Sequence, residues 1–209
     1  IQGSDRDKNW IERIIGYLDK IPNLGVAGVA GLRVGGGFDN AVGWVDHWGS
    51  RGMPRARGWG HPKWDGQIVP VQTLDAQLLI VPTEIFKKYK FNEEFPFHMM
   101  AEDYCLTLLY DYNLGVYVIP LPVWHNEAGL SRGKMHGNLA KAHQQLYNKW
   151  YERLKNIGIY VTSFAYGLKP QAGHYCPQCG GDVDTLTTHV ANPEYNFECR
   201  VCHYKFGKR

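Results

Sequence analysis

The sequence predicts an α/β fold followed by a small metal-stapled unit. Three observations point there: a helical period running into a buried strand near the start, a strand, helix, strand succession in the middle, and two Cys-x2-Cys pairs near the end. At 209 residues, 44% of them hydrophobic, the chain can bury one ordinary core and still carry a satellite module.

Residues 9–20 place Trp10, Ile11, Ile14, Ile15 and Leu18 at roughly helical spacing, with Glu12, Arg13 and Lys20 on other faces, so an amphipathic helix is expected. Pro22-Asn23 breaks it. The run 24–31, Leu-Gly-Val-Ala-Gly-Val-Ala-Gly, reads as a buried strand whose small residues let a neighbouring backbone approach closely. Residues 33–69 hold four of the seven tryptophans (Trp44, Trp48, Trp59, Trp64), many glycines and no long period of either kind. A long irregular segment is expected there, and its tryptophans argue against simple disorder.

Order resumes with an apolar strand over 77–81 and a brief helix to Tyr89, with Thr83 suited to cap it. A helix over 102–112 carries Cys105, Leu106, Leu108 and Leu109, and Gly115 ends it ahead of a strand over 116–120. Leu139, His143, Leu146, Trp150 and Leu154 step along a longer helix that Gly158 terminates. The domain division expected is an α/β domain over 1–158, a linker over 159–173 and a metal unit over 174–209.

The formal charge of +3 is far from the single-sign field of a protein that lives on phosphate backbones, so nucleic acid is not the expected partner. No run of 18 apolar residues exists and the first residues lack the order of a signal peptide, so no transmembrane segment is expected. Four of the five cysteines form tight pairs and the fifth, Cys105, lies in a helical pattern. That usage suits metal binding in a reducing compartment, and the cytoplasm is the expected location.

Cys176-x2-Cys179, nineteen intervening residues and Cys199-x2-Cys202 match the spacing of a four-thiolate zinc ribbon. The stretch between, with Thr185-Leu186-Thr187 and Tyr195-Asn196-Phe197-Glu198, suits short hairpin strands. A unit of this size cannot hold a core unaided, so structural Zn²⁺ would supply much of its folding free energy, on the order of 10 kcal/mol. Docking of a protein partner is the plainest role for it. The basic end formed by Arg200, His203, Lys205, Lys208 and Arg209 also suits nucleic acid, or solvent alone. Four thiolates leave no open position for catalysis.

Acids, histidines and other reactive types converge only between residues 71 and 125, in Gln72-Thr73-Leu74-Asp75, in Phe97-His98-Met99-Met100-Ala101-Glu102-Asp103-Tyr104-Cys105-Leu106 and in Trp124-His125. These pieces, with the run 24–31, Leu78-Leu-Ile-Val-Pro82 and Phe91-Asn-Glu-Glu-Phe95, resemble the family-two glycosyltransferases of the GT-A fold, in the StrF-like branch. The resemblance covers roughly residues 10–150 and does not reach the cysteine pairs.

It implies a GT-A-like mixed sheet flanked by helices, and an inverting transfer in which an acceptor hydroxyl displaces a nucleoside diphosphate from a nucleotide-sugar donor. In the matching motif Asp103 takes the place of the catalytic base, with Glu102 beside it; acidic residues also suit a helix's first turn without any chemistry. His125, 22 positions further on, takes the place of a ligand to the Mg²⁺ or Mn²⁺ at the diphosphate. Asp75 corresponds to an acidic position near the sugars, and equally suits a turn beside a strand. His98 could orient Asp103, meet substrate, or pack with Phe95 and Phe97. Trp59 and Trp64, amid Arg55, Arg57, His61 and Lys63, suit stacking on a carbohydrate acceptor, while Trp44 and Trp48 suit anchoring of the loop.

The family's metal-holding carboxylate motif after an N-terminal strand has no secure counterpart. Asp5-Arg6-Asp7 spells Asp-x-Asp without a preceding strand, so the motif and the N-terminal part of the fold are expected before residue 1. The competing class is a non-catalytic binding or scaffold protein built on a degenerate transferase fold and a zinc ribbon.

Overall fold

In a computed structural model of the protein the described residues are 2–3, 9–35, 40–48, 59–60, 66–95, 97–121, 123–126, 136–161, 164–168, 183–185, 195–199, 203 and 205–208. They form a mixed α/β structure in which mixed sheets are flanked by helices.

One six-stranded sheet contains β1 (Gln2–Gly3), β3 (Ala30–Leu32), β4 (Ala41–Trp48), β5 (Trp59–Gly60), β7 (Thr73–Leu74) and β10 (Val123–Asn126). Its order is β1-β10-β4-β3-β7, with β5 on β4; β10 runs parallel to β4 and the other pairs are antiparallel. A four-stranded sheet has the order β6 (Val69–Pro70), β9 (Gly115–Val118), β2 (Leu24–Gly28), β8 (Leu79–Ile80), with β2 and β9 parallel.

The two sheets are seamed where the chain crosses from one to the other. The expected single strand over 24–31 is in fact β2 and β3, parted at Val29, because its halves take different partners: β8 and β9 first, β4 and β7 next. The segment from β6 to β7 crosses in the same way. The Val71 N–H bonds the Val116 carbonyl at 3.0 Å and the Gln72 N–H bonds the Leu32 carbonyl at 2.8 Å. The small residues are needed here. A Cβ at Gly31 would lie 2.5 Å from the Thr73 carbonyl oxygen, and Gly43, at φ +98°, sits against the Val29 carbonyl where no side chain fits.

Alternation along these strands feeds two cores. Val26, Val42, Val71 and Leu74 pack with Tyr104, Cys105 and Leu108 of α3 (Met100–Tyr110). Ala27, Val29, Ala30 and Val123 face the other way and pack with Ile14 of α1 (Trp10–Leu18). A third cluster joins Phe95, Met99 and Leu106 to Leu146, Tyr147, Trp150 and Leu154 of α4 (His136–Leu154), so α4 docks against α3.

Several boundaries differ from the sequence expectations. The segment expected to be irregular contains β4, which does not alternate visibly because strands pair with both its edges and its first residues, Ala41 to Gly43, are buried. α3 ends at Tyr110 rather than near Gly115, which belongs to β9. Asn113, at φ 53°, turns the chain there, and the Leu114 N–H reaches back to the Leu108 carbonyl at 2.8 Å. Thr83 is the first residue of α2 (Thr83–Lys88) and makes no capping bond, since Pro82 takes the cap position with its fixed φ.

The expected linker over 159–173 opens with a hairpin, β11 (Ile159–Val161) against β12 (Phe164–Leu168). Ile159 and Val161 are buried with α4, which is why this piece is ordered. A separate three-stranded antiparallel sheet contains β13 (Val183–Thr185), β14 (Tyr195–Cys199) and β15 (Lys205–Lys208). No helix is long and apolar enough to cross a membrane among the described residues.

Candidate functional site

Asp103 lies in the first turns of α3, which begins after Met99 in the left-handed region, and its N–H closes the turn on the Met99 carbonyl at 2.9 Å. Its side chain is buried and held from α4. The Lys149 ammonium lies 2.8 and 2.9 Å from the two carboxylate oxygens, and the Trp150 indole N–H donates to Oδ1 at 2.7 Å. The spacing of Leu146, Trp150 and Leu154 turns one face of α4 onto α3. A buried indole needs an acceptor for its N–H, and Asp103 provides it. Lys149 is partly exposed, and its nitrogen also lies 5.8 Å from the Phe95 ring centre and 5.3 Å from that of Trp150. Glu102 is buried beside Asp103.

Asp75 follows β7, whose Leu74 is buried with Tyr104 and Cys105 of α3. Asp75 takes a turn role: its N–H bonds the Ala30 carbonyl at 2.9 Å and its Oδ1 accepts the Gln77 N–H at 3.1 Å. The two residues before Leu74 are structural as well. Buried Gln72 donates to Tyr110 Oη at 3.1 Å and to the Gly158 carbonyl at 2.9 Å, and it accepts the Tyr160 N–H at 2.8 Å. Thr73 Oγ1 donates to the Tyr160 carbonyl at 2.6 Å. Together they fasten β11 to β7.

His98 does not reach Asp103 by a hydrogen bond among the described residues. It is partly buried with its ring edge-on to Phe97, 4.9 Å between centres, and burial lowers its pKa. Its electrostatic neighbour is His143 on α4, which is buried; desolvation and then the nearby His98 lower the His143 pKa to about 4.

His125 lies in β10 beside β4, and its Cα partner is His47. Trp59 pairs with Val45 as part of β5, and Trp64 lies outside the described residues. So do Cys176, Cys179 and Cys202; Cys199 is the last residue of β14. Among the described residues no three metal-ligating side chains gather.

Sequence reasoning passed over Lys149 and Trp150 as partners of Asp103, and Gln72 as a tie. The signal for Trp150 was its place on the buried stripe of α4, but helical period does not say which carboxylate meets the indole. No protein-family model matches this chain, and no curated protein does.

The buried His143 gives a pH dependence with a definite sign. Its folded pKa of about 4 lies below the ordinary value of 6.5, so between those limits the unfolded chain takes up a proton that the folded one refuses. Its contribution is intact above pH 6.5 and is lost as pH falls toward 4, on the order of 3 kcal/mol in all. Urea unfolding at pH 7 and 4.5 should show a smaller loss for His143→Gln than for the wild type. Equal losses would show that His143 carries no such linkage.

Proposed function

We propose that the chain is an inverting, metal-assisted glycosyltransferase of the GT-A fold, with a structural zinc ribbon near its C-terminal end. The observation that carries this reading is the buried, oriented carboxylate of Asp103 at the head of α3, with Glu102 beside it. The family resemblance of these motifs supplies the reaction class.

In this reading the acceptor hydroxyl gives its proton to Asp103 as its oxygen attacks the anomeric carbon; the bond from that carbon to the diphosphate oxygen breaks, and the nucleoside diphosphate leaves. Asp103 Oδ2 is the proton-accepting atom. Lys149, the partly exposed partner, yields that oxygen to the acceptor, while Trp150 stays buried and keeps Oδ1 oriented. A bound Mg²⁺ or Mn²⁺ supplies positive charge to the leaving diphosphate. On the family resemblance, His125 would be one of its ligands. Trp59 and Trp64 are assigned to the acceptor sugar and His98 to the substrate side.

The ribbon reading is supported by register. Val183, the first residue of β13, pairs with Cys199, so the chain arriving from Cys179 and the chain departing toward Cys202 meet the same end of the sheet. Four cysteine sulfurs there would complete a closed tetrahedral site.

One observation favours the scaffold reading instead: both Asp103 oxygens already have partners, as in a purely structural tie. A screen of nucleotide sugars with Mg²⁺ and Mn²⁺, run on the protein, separates the two. Transfer or hydrolysis that falls at least about 100-fold in Asp103→Asn, with the fold retained by circular dichroism, supports the enzyme. Full activity in that variant would remove Asp103 as the base, and no turnover with any donor would favour the scaffold. For the ribbon, elemental analysis should find about one zinc per chain, and chelation or Cys199→Ser should unfold the C-terminal sheet. Absence of zinc, with an unchanged spectrum after chelation, would contradict it.

A further inference from the structure

Residues 83–91 spell Thr-Glu-Ile-Phe-Lys-Lys-Tyr-Lys-Phe, three lysines against one glutamate with aromatic rings set between the cations. The structure joins these side chains into one cluster beside α2. Phe91 lies 4.5 Å from Tyr104 of α3 and 5.7 Å from Phe86, between ring centres. Tyr89 lies 3.8 Å from Tyr112, and its carbonyl accepts the Tyr104 hydroxyl at 3.0 Å. Because Tyr89, Phe91 and Tyr104 belong to the α3 core, the cluster is rooted there. Its outer members reach solvent: Phe86 is 38% exposed and Tyr112 44%.

The lysines lie across these rings. Lys90 Nζ is 4.1 Å from the Phe86 ring centre and Lys88 Nζ 5.0 Å from that of Tyr89. The nearby carboxylates are already used: Glu84 pairs with Lys87 at 2.9 Å, and Asp111, next to Tyr112, pairs with Arg153. Among the described residues neither Lys88 nor Lys90 has a carboxylate partner. Two ammoniums thus stand level with two exposed rings.

A partner that satisfies both kinds of group is anionic and apolar at the same depth. The headgroup region of an anionic bilayer is such a place, since rings and lysine stems settle there with the ammonium turned to phosphate. A nucleic-acid strand suits the cluster less well: base stacking needs open ring faces, and Lys90 and Lys88 already lie over those of Phe86 and Tyr89. We infer that the α2 surface, through Phe86, Lys88, Lys90 and Tyr112, docks the protein on membranes that carry anionic lipid. So few groups give reversible docking, not stable anchoring. The inference does not depend on sugar transfer.

The test sediments the full chain at low ionic strength with vesicles of phosphatidylcholine alone and of an equal mixture of phosphatidylcholine and phosphatidylglycerol. The wild type should bind the mixed vesicles and leave them as salt is raised. An ammonium at an anionic surface is worth about fivefold in affinity, so Lys88→Glu combined with Lys90→Glu should weaken binding by about tenfold or more. Phe86→Ser should weaken it about threefold or more through lost apolar contact. Lys205→Glu with Lys208→Glu, which alters the other basic end, should leave binding unchanged. All variants should keep the wild-type circular dichroism. A second measurement needs no variant: mixed vesicles should slow hydrogen exchange across residues 83–91 of the wild type. No sedimentation, equal binding to neutral vesicles, or wild-type binding in the Lys88 and Lys90 variant overturns the inference. Capture of an oligonucleotide or of polyglutamate through the same lysines, without vesicle binding, overturns it as well and gives the surface to that polyanion.

Discussion

A single buried carboxylate ties the outer helix layer to the rest of the molecule. Asp103 sits in the first turns of α3 and meets α4 through the Lys149 ammonium and the Trp150 indole N–H. Burying a charge is costly without partners, and here both oxygens have them. The position of α4 depends on that match, and with it the enclosure of Phe95, Met99 and Leu106. Removing one member leaves a buried polar group without its partner, which costs more than the intact tie contributes in net stability.

The same logic of satisfied buried polarity holds β11. Gln72 uses its amide oxygen and nitrogen on Tyr110, Gly158 and Tyr160, and Thr73 adds a bond to the Tyr160 carbonyl. Both residues stand on the segment that crosses between the two sheets, so the seam and the C-terminal hairpin are set by one stretch of chain.

Much of this was legible in the sequence where a period or a breaker spoke. The helix α1, the breaker Pro22-Asn23 and the buried stripe of α4 correspond to what is found, although Ile11 and Ile15, read as part of the apolar face of α1, are exposed while Ile14 is buried. β4 was not legible, because a strand paired on both edges and buried along its first residues shows no alternation. The division of residues 24–31 into two strands was hidden for a related reason: pattern reports burial, and burial continues through Val29 while the hydrogen-bond partners change. For the site, residue types pointed to Asp103 and His125. The partners of Asp103, Lys149 and Trp150, come from a remote segment, and only tertiary pairing could supply them.

The central physical claim is that Asp103 and Lys149 are energetically coupled across α3 and α4. A double-mutant cycle on Asp103→Asn and Lys149→Met, followed by urea unfolding at pH 7, measures that coupling directly. Because Lys149 is partly solvated, the coupling should lie between that of a surface pair and that of a fully buried one, about 1–2 kcal/mol. Effects that add to within about 0.3 kcal/mol would contradict the account, since the carboxylate would then hold nothing together.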